Sequence, residues 1–347
     1  MKKARSLDAS VLRNAMLRRN VRRSKASGSL TFPAIPALVD QYTDTLDRIF
    51  TAVGRPFTKS ELTNARAILA EKIDWAFSRS QNAWIVVEYA SDEEPKTTLS
   101  FTVTGWHKSF EDRYAEWVAT RKPPLFGKHP DARLMDLARS LGAPADVACL
   151  DIGAGTGRNA VPLARAGHPV DAIEPAPALA EKLEAEAAEA NVAVRVVRGS
   201  FYDAALPLRR EGYRLAVLAE TCSHWRGQED LRKVFARLAE VLAPGGIGLM
   251  NVFVAAPEYK PDALARQLSQ VLWCPVYTRA DLEQARSALP LELVSDESVR
   301  NYEHDHLPAE AWPPTSWFEE WTGGRDLFDL PEGKTPMEMR WLAYQRV

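Results

Sequence analysis

The chain has 347 residues, a formal net charge of −2, and 46% apolar against 26% charged residues, enough for one large domain or two ordinary ones. No apolar run approaches the roughly 18 residues of a membrane span, and the N-terminus has no apolar secretory core. Its three cysteines, Cys149, Cys222 and Cys274, lie far apart, which argues against a disulfide framework or a zinc site and for a reducing, cytoplasmic setting.

In chain order, residues 1–30 come first as a basic, disordered tail, with nine Lys/Arg against the single acid Asp8. The remaining chain is about ten units negative by difference. Residues 31–106 read as a small α+β module. A helix ends near Gly54, and a second starts at an N-cap on Ser60 with an apolar stripe through Leu62, Ala65, Leu69 and Ile73. Then "AWIVVEYA" and "TLSFTVTGW" flank a polar loop as a β-hairpin. The module is expected to pack, cap the site or form a homodimer.

Residues 107–347 change rhythm. Two helices around "PPLFGKHP" lead into "VACLDIG", an apolar strand entering a glycine turn. Helix and strand then alternate through "IGLMNVFV", the pattern of right-handed βαβ units and a parallel sheet covered on both faces. The alternation breaks at "LPLELVSDESVRNYEH" and "PMEMRWLAYQRV", expected as two long strands. Between them, at about 304–335, lies a Pro-rich insertion in which Trp312, Trp317, Phe318 and Trp321 crowd together.

The glycine turn carries Gly153, Ala154, Gly155 and Gly157. A dinucleotide fingerprint needs its third glycine where Arg158 stands, and a P-loop needs a lysine that is missing. Asp151 ends the first strand and Glu174 the second, where an acid can accept both hydroxyls of a ribose. "GSFYD" ends the third, and "LAPGG" precedes the fifth. These acids would repel a pyrophosphate and suit a sulfonium and an ammonium.

This set resembles the class I S-adenosylmethionine-dependent methyltransferase family, small-molecule type. The resemblance implies a Rossmann-like seven-stranded sheet of order 3-2-1-4-5-7-6 with strand 7 antiparallel. It also implies S-adenosylmethionine as cofactor. Asp151 and Gly153 would then face its methionine part, Ala154 would also contact the cofactor, Gly155 and Gly157 would let the chain pass beneath it, and Glu174 would grip the ribose. Phe201 would pack near the adenine, whose amine acceptor is either Ser200 or Asp203, with Asp203 favoured.

Methyl transfer from a sulfonium needs alignment and exclusion of water, and a base only when the acceptor carries a proton. The fourth strand ends in "AETCSHW", so Glu220, Cys222, His224 and Trp225 reach the ligand edge of the sheet. His224 is the candidate general base, Glu220 a cofactor and catalytic contact, and Cys222 and Trp225 substrate contacts. Tyr114 is the candidate for a segment folding over the cofactor. His304, alternating with His306 on a strand end, and Trp317 are candidate substrate contacts; no metal is expected. "ETCS" lacks the Asn/Asp-Pro-Pro-aromatic motif of exocyclic-amine methylation, and no basic stripe accompanies this domain, so nucleic acid is not the expected partner. The expected reaction is in-line methyl transfer to O, N or S of a small molecule. Two alternatives stay open: a cofactor-binding interaction protein, and an RNA-directed methyltransferase docking through its basic N-terminal tail.

Overall fold

A computed structural model describes residues 8–23, 25–91, 99–331 and 333–347. The chain divides into two compact units, Met1–Lys108 and Ser109–Val347. No helix among the described residues is long and apolar enough to cross a membrane.

The first unit contains α1 (Ala9–Arg23), β1 (Ser27–Pro33), α2 (Val39–Ala52), α3 (Lys59–Arg79), β2 (Trp84–Ser91) and β3 (Leu99–Trp106). The strands form an antiparallel sheet in the order β1-β2-β3. Leu46 and Phe50 of α2 and Leu69 and Ile73 of α3 bury against Ile85 and Val87. α3 starts at a capping box of Thr58 and Glu61, so its N-cap lies two residues before the expected Ser60. The expected disordered tail is corrected for its described residues: they include α1 and the start of β1. "SGSLTFP" gives weak strand signal because Ser, Gly and Pro are poor strand formers, and it is tolerated as an edge strand pairing only with β2. Residues 1–7 of that tail, and all but Ser91 of the polar hairpin loop, lie outside the described residues.

The second unit opens with α4 (Phe110–Thr120) and α5 (Ala132–Ser140). The alternating part follows as β4 (Cys149–Ile152), α6 (Ala160–Arg165), β5 (Val170–Glu174), α7 (Pro177–Glu189), β6 (Val194–Arg198), β7 (Tyr213–Leu218), α8 (Gln228–Val241) and β8 (Leu242–Ala255). Then come α9 (Ala263–Val271), β9 (Val276–Tyr277), α10 (Arg279–Arg286), β10 (Leu291–Ser298), α11 (Val299–His306), α12 (Phe318–Thr322), α13 (Arg325–Phe328) and β11 (Met337–Arg346). The sheet runs β10-β11-β8-β7-β4-β5-β6, with β9 added beside β8. That is the order 3-2-1-4-5-7-6, and β11 is antiparallel to both neighbours. β4 and β5 are buried at every position, as strands covered on both faces must be. β4 pairs with β5 on one side and β7 on the other, so the crossovers diverge at its carboxyl end and open a crevice there.

One expected strand is corrected. "VRNYEH" is not the end of β10 but α11, whose first turn is capped by Ser298 Oγ accepting from the Asn301 N–H at 3.4 Å. The Trp-rich insertion folds into α12 and α13, with Trp312 edge-on to Phe318 and Trp317 edge-on to Trp321.

Candidate active site

A cavity of about 650 Å³ occupies the crevice at the carboxyl ends of β4, β5 and β7. Its floor is the turn after β4. The Gly153 and Ala154 N–H groups donate to the Ile173 carbonyl, which ties the turn to β5. Gly153 has φ +71°, and a Cβ there would lie 2.5 Å from Thr221 Cγ2. Only glycine lets the turn pass so close under the end of β7.

Three carboxylates line this floor. Asp151 is 2% exposed, and its Oδ2 has no hydrogen-bond partner among the described residues. Burial, reinforced by Asp131 and Glu174 and opposed by Arg158 and the Ala160 N–H, pushes its carboxyl up to about 7. Glu174 accepts the N–H groups of Gly155 and Ala176, each at 2.8 Å, one on each oxygen. Burial still raises it to about 7 against those bonds. Each of its oxygens keeps acceptor capacity for a second donor.

Glu220, the third, sits in a left-handed conformation at φ 60°, and its N–H donates to Asn251 Oδ1 at 2.6 Å. Such a conformation is strained for a side-chain-bearing residue and persists only when its surroundings fix it. The fixing partner is Arg158, which donates to Glu220 Oε1 at 2.8 Å and to Asp131 at 2.5 and 3.2 Å. Burial works against this guanidinium, but Asp131 and Glu220 outweigh it and hold the proton more firmly than usual. Asp131 also accepts from Asn159 Nδ2 at 2.8 Å. The residue that displaced the third glycine of a dinucleotide motif is therefore the hub that joins the turn, α5 and the end of β7.

Opposite the floor stands an aromatic wall. Ser109 caps α4 by accepting the Asp112 N–H, and α4 lays Tyr114 and its neighbours Phe110 and Trp117 against Ala176 and Leu179 at the start of α7. Tyr114 Oη and His224 Nε2 are 2.8 Å apart. Phe110 and Trp273 meet the His224 ring edge-on at 4.8 and 5.0 Å. Burial, then Arg113, pulls His224 down to about 3, so its imidazole is neutral at physiological pH. Burial also raises the Tyr114 phenol, which keeps its proton.

The cavity brings together Tyr114, Asp151, Gly153, Ala154, Gly155, Glu174, Phe201, Glu220, His224, Trp225 and Trp317. Other expected site residues lie elsewhere. Gly157 is not in the lining and packs its backbone on Leu183. Cys222 is fully buried in the core, with its thiol raised by burial, and does not line the cavity. Asp203 closes its own turn by accepting the Ala205 N–H, and Ser200 takes the place beside Phe201 in the lining. His304 does not line the cavity and pairs with Asp305 at 2.8 Å. On a helix, His304 and His306 do not share a face. Their neighbour Glu303 is buried and accepts the Ala132 and Arg133 N–H groups at the start of α5. No group of three or more His, Cys, Asp or Glu among the described residues is placed to hold a metal ion. Sequence reasoning missed Arg158, Asp131 and Trp273; only the charge at the third glycine position signalled the first.

A crevice at the switch point, a glycine turn and acids on two adjacent strand ends define a class I methyltransferase domain, a class whose cofactor is S-adenosylmethionine. Residues 149–246 match the family model described as a methyltransferase domain. No match among curated proteins reaches significance. Among solved structures, geranyl diphosphate C-methyltransferase from Streptomyces coelicolor A3(2) in complex with Mg2+, geranyl-S-thiolodiphosphate and S-adenosyl-L-homocysteine aligns with TM-score 0.51 and 16% identity. The alignment covers 69% of this chain and 99% of that one. The same enzyme with geranyl diphosphate gives TM-score 0.50 and 17% identity over the same shares. At these identities the likeness is one of fold.

Proposed function

We propose that the chain transfers a methyl group from S-adenosylmethionine to O, N or S of a small molecule by in-line displacement. The observation that carries this reading is the unpartnered, buried Asp151 Oδ2 beside Glu174 and Glu220 on the floor of the cavity. A donor-rich cation, with an ammonium, a sulfonium and two ribose hydroxyls, matches that set; a pyrophosphate does not.

When bound, the cofactor supplies an electrophilic methyl group on sulfur. Asp151 takes a donor on Oδ2. Glu174 uses its remaining lone pairs on the ribose while its N–H bonds to Gly155 and Ala176 keep the carboxylate in place. Phe201, with the Arg237 guanidinium 5.6 Å from its ring, and Ser200 line the part of the cavity that would receive the adenine. Tyr114 and His224 form one neutral pair that excludes water and orients the acceptor.

Calorimetry with S-adenosylhomocysteine tests the reading. The wild type binds, and Glu174→Ala loses at least about tenfold in affinity, since two N–H groups and the ribose lose their charged acceptor. A wild type that does not bind overturns the proposal.

A further inference from the structure

The acceptor half of the cavity has a definite chemical character. Its walls are rings: Trp117 stands 5.4, 6.3 and 6.4 Å from Tyr114, Phe126 and Trp273, and His224 lies between Tyr114 and Trp273 at 5.7 and 5.0 Å. The indole faces already attract the chain's own cations, since the Arg113 guanidinium lies 4.7 Å from the Trp273 ring and that of Arg121 lies 3.7 Å from Trp117.

The charge balance is negative. Beyond the floor acids, the lining includes Glu111 and Asp326, both exposed at its mouth. Asp326 has no hydrogen-bond or ion-pair partner among the described residues. The lining contains two arginines, of which Arg158 is closed off by Asp131 and Glu220 and Arg121 is stacked on Trp117. An anionic acceptor would meet five carboxyl groups against two arginines in this lining.

The two polar rings of the wall are poor bases. Tyr114 keeps its proton, and neutral His224 is a weak acceptor of one, pulled down by burial. Glu220 Oε1 is taken up by Arg158. An alcohol or phenol would have to shed a proton as it attacks, and neither Tyr114 nor His224 is suited to receive it.

On the methyltransferase reading above, we infer that the acceptor is an uncharged ring nitrogen on a flat heteroaromatic body. Its lone pair needs no deprotonation. The N–C bond forms as the methyl–sulfur bond breaks, the bonding pair stays on sulfur, and the positive charge passes from sulfur to nitrogen with no proton released. The acceptor enters uncharged and gains positive charge only as the methyl arrives, so the aromatic faces and carboxylates around it act more strongly on the transition state than on the bound acceptor, which is the differential stabilisation catalysis needs.

The test uses the full chain and flat probes of similar shape. Quinoline, isoquinoline and nicotinamide carry the uncharged nitrogen, 2-naphthol carries a protonated oxygen, and 2-naphthoate is an anion. Transfer of labelled methyl from S-adenosylmethionine and calorimetry on the S-adenosylhomocysteine-loaded protein are the readouts. At least one ring nitrogen is methylated to its N-methyl cation, and the best of them binds about tenfold tighter than 2-naphthoate. Trp273→Leu, still loaded with S-adenosylhomocysteine, loses most of that preference. Faster methylation of 2-naphthol or 2-naphthoate, tighter binding of 2-naphthoate, or no transfer to any ring nitrogen by protein that binds S-adenosylmethionine overturns the inference and leaves the methyltransferase reading standing. Failure to bind S-adenosylhomocysteine at all overturns both.

Discussion

Asp151 is buried with one oxygen unpartnered, and that has a pH signature. Its folded-state carboxyl, like that of Glu174, is raised to about 7, so near neutrality the ligand-free protein holds protons that the unfolded chain releases. Stability from these groups is therefore greatest at low pH and declines as pH rises from about 4 to about 7. Urea midpoints at about pH 5 and about pH 8 should show a larger fall in the wild type than in Asp151→Asn, which cannot ionise. A ligand ammonium reverses the preference, because it needs the carboxylate. S-adenosylhomocysteine should bind more weakly as pH drops through about 7, with proton release seen as a buffer-dependent heat. The glycine turn, Asp151 and Glu174 were legible because they sit next to one another or at successive strand ends. The Arg158–Asp131 pair was not, since 27 positions separate its members and neither belongs to a motif.

At the scale of elements, the alternating strands and helices were read correctly because each buried parallel strand is an unbroken apolar run. α11 was misread for a physical reason. Its buried residues are Val299 and Glu303, four apart, so half of its helical period is written in a carboxylate and is invisible to hydrophobicity. That carboxylate caps α5 and accepts the Trp341 indole N–H at 3.0 Å, which joins α11 to β11. Gly157 acts at the same scale. At φ +93°, a Cβ would meet Leu183 Cδ1 at 2.5 Å and Val161 Cγ2 at 3.0 Å, whereas at Gly142, φ +125°, nothing lies within 4 Å. Gly142→Ala should cost about 1–2 kcal/mol of backbone strain alone, and Gly157→Ala about 2 kcal/mol more from packing. Denaturation midpoints measure the difference; equal losses would mean that α7 yields freely to the turn.

For the whole molecule, the division after Lys108 and the confinement of the cavity lining to residues 110–326 carry a joint expectation. A fragment spanning 109–347 should fold and bind S-adenosylhomocysteine within about threefold of the full chain. A fragment that folds, as judged by circular dichroism, yet fails to bind would show that the first unit completes the donor site. The first unit had no motif to read; its sheet and two packed helices explain its own stability.

The aromatic wall has an optical consequence. Five of the chain's ten tryptophans, Trp117, Trp225, Trp273, Trp317 and Trp321, line the cavity, and the Trp321 indole N–H donates to the Trp273 carbonyl at 3.0 Å. Indole emission shifts with local polarity and is quenched by stacked rings. The protein thus carries its own fluorophores around the pocket, and occupancy by donor or acceptor can be followed in unlabelled protein as a change in the colour and intensity of its emitted light.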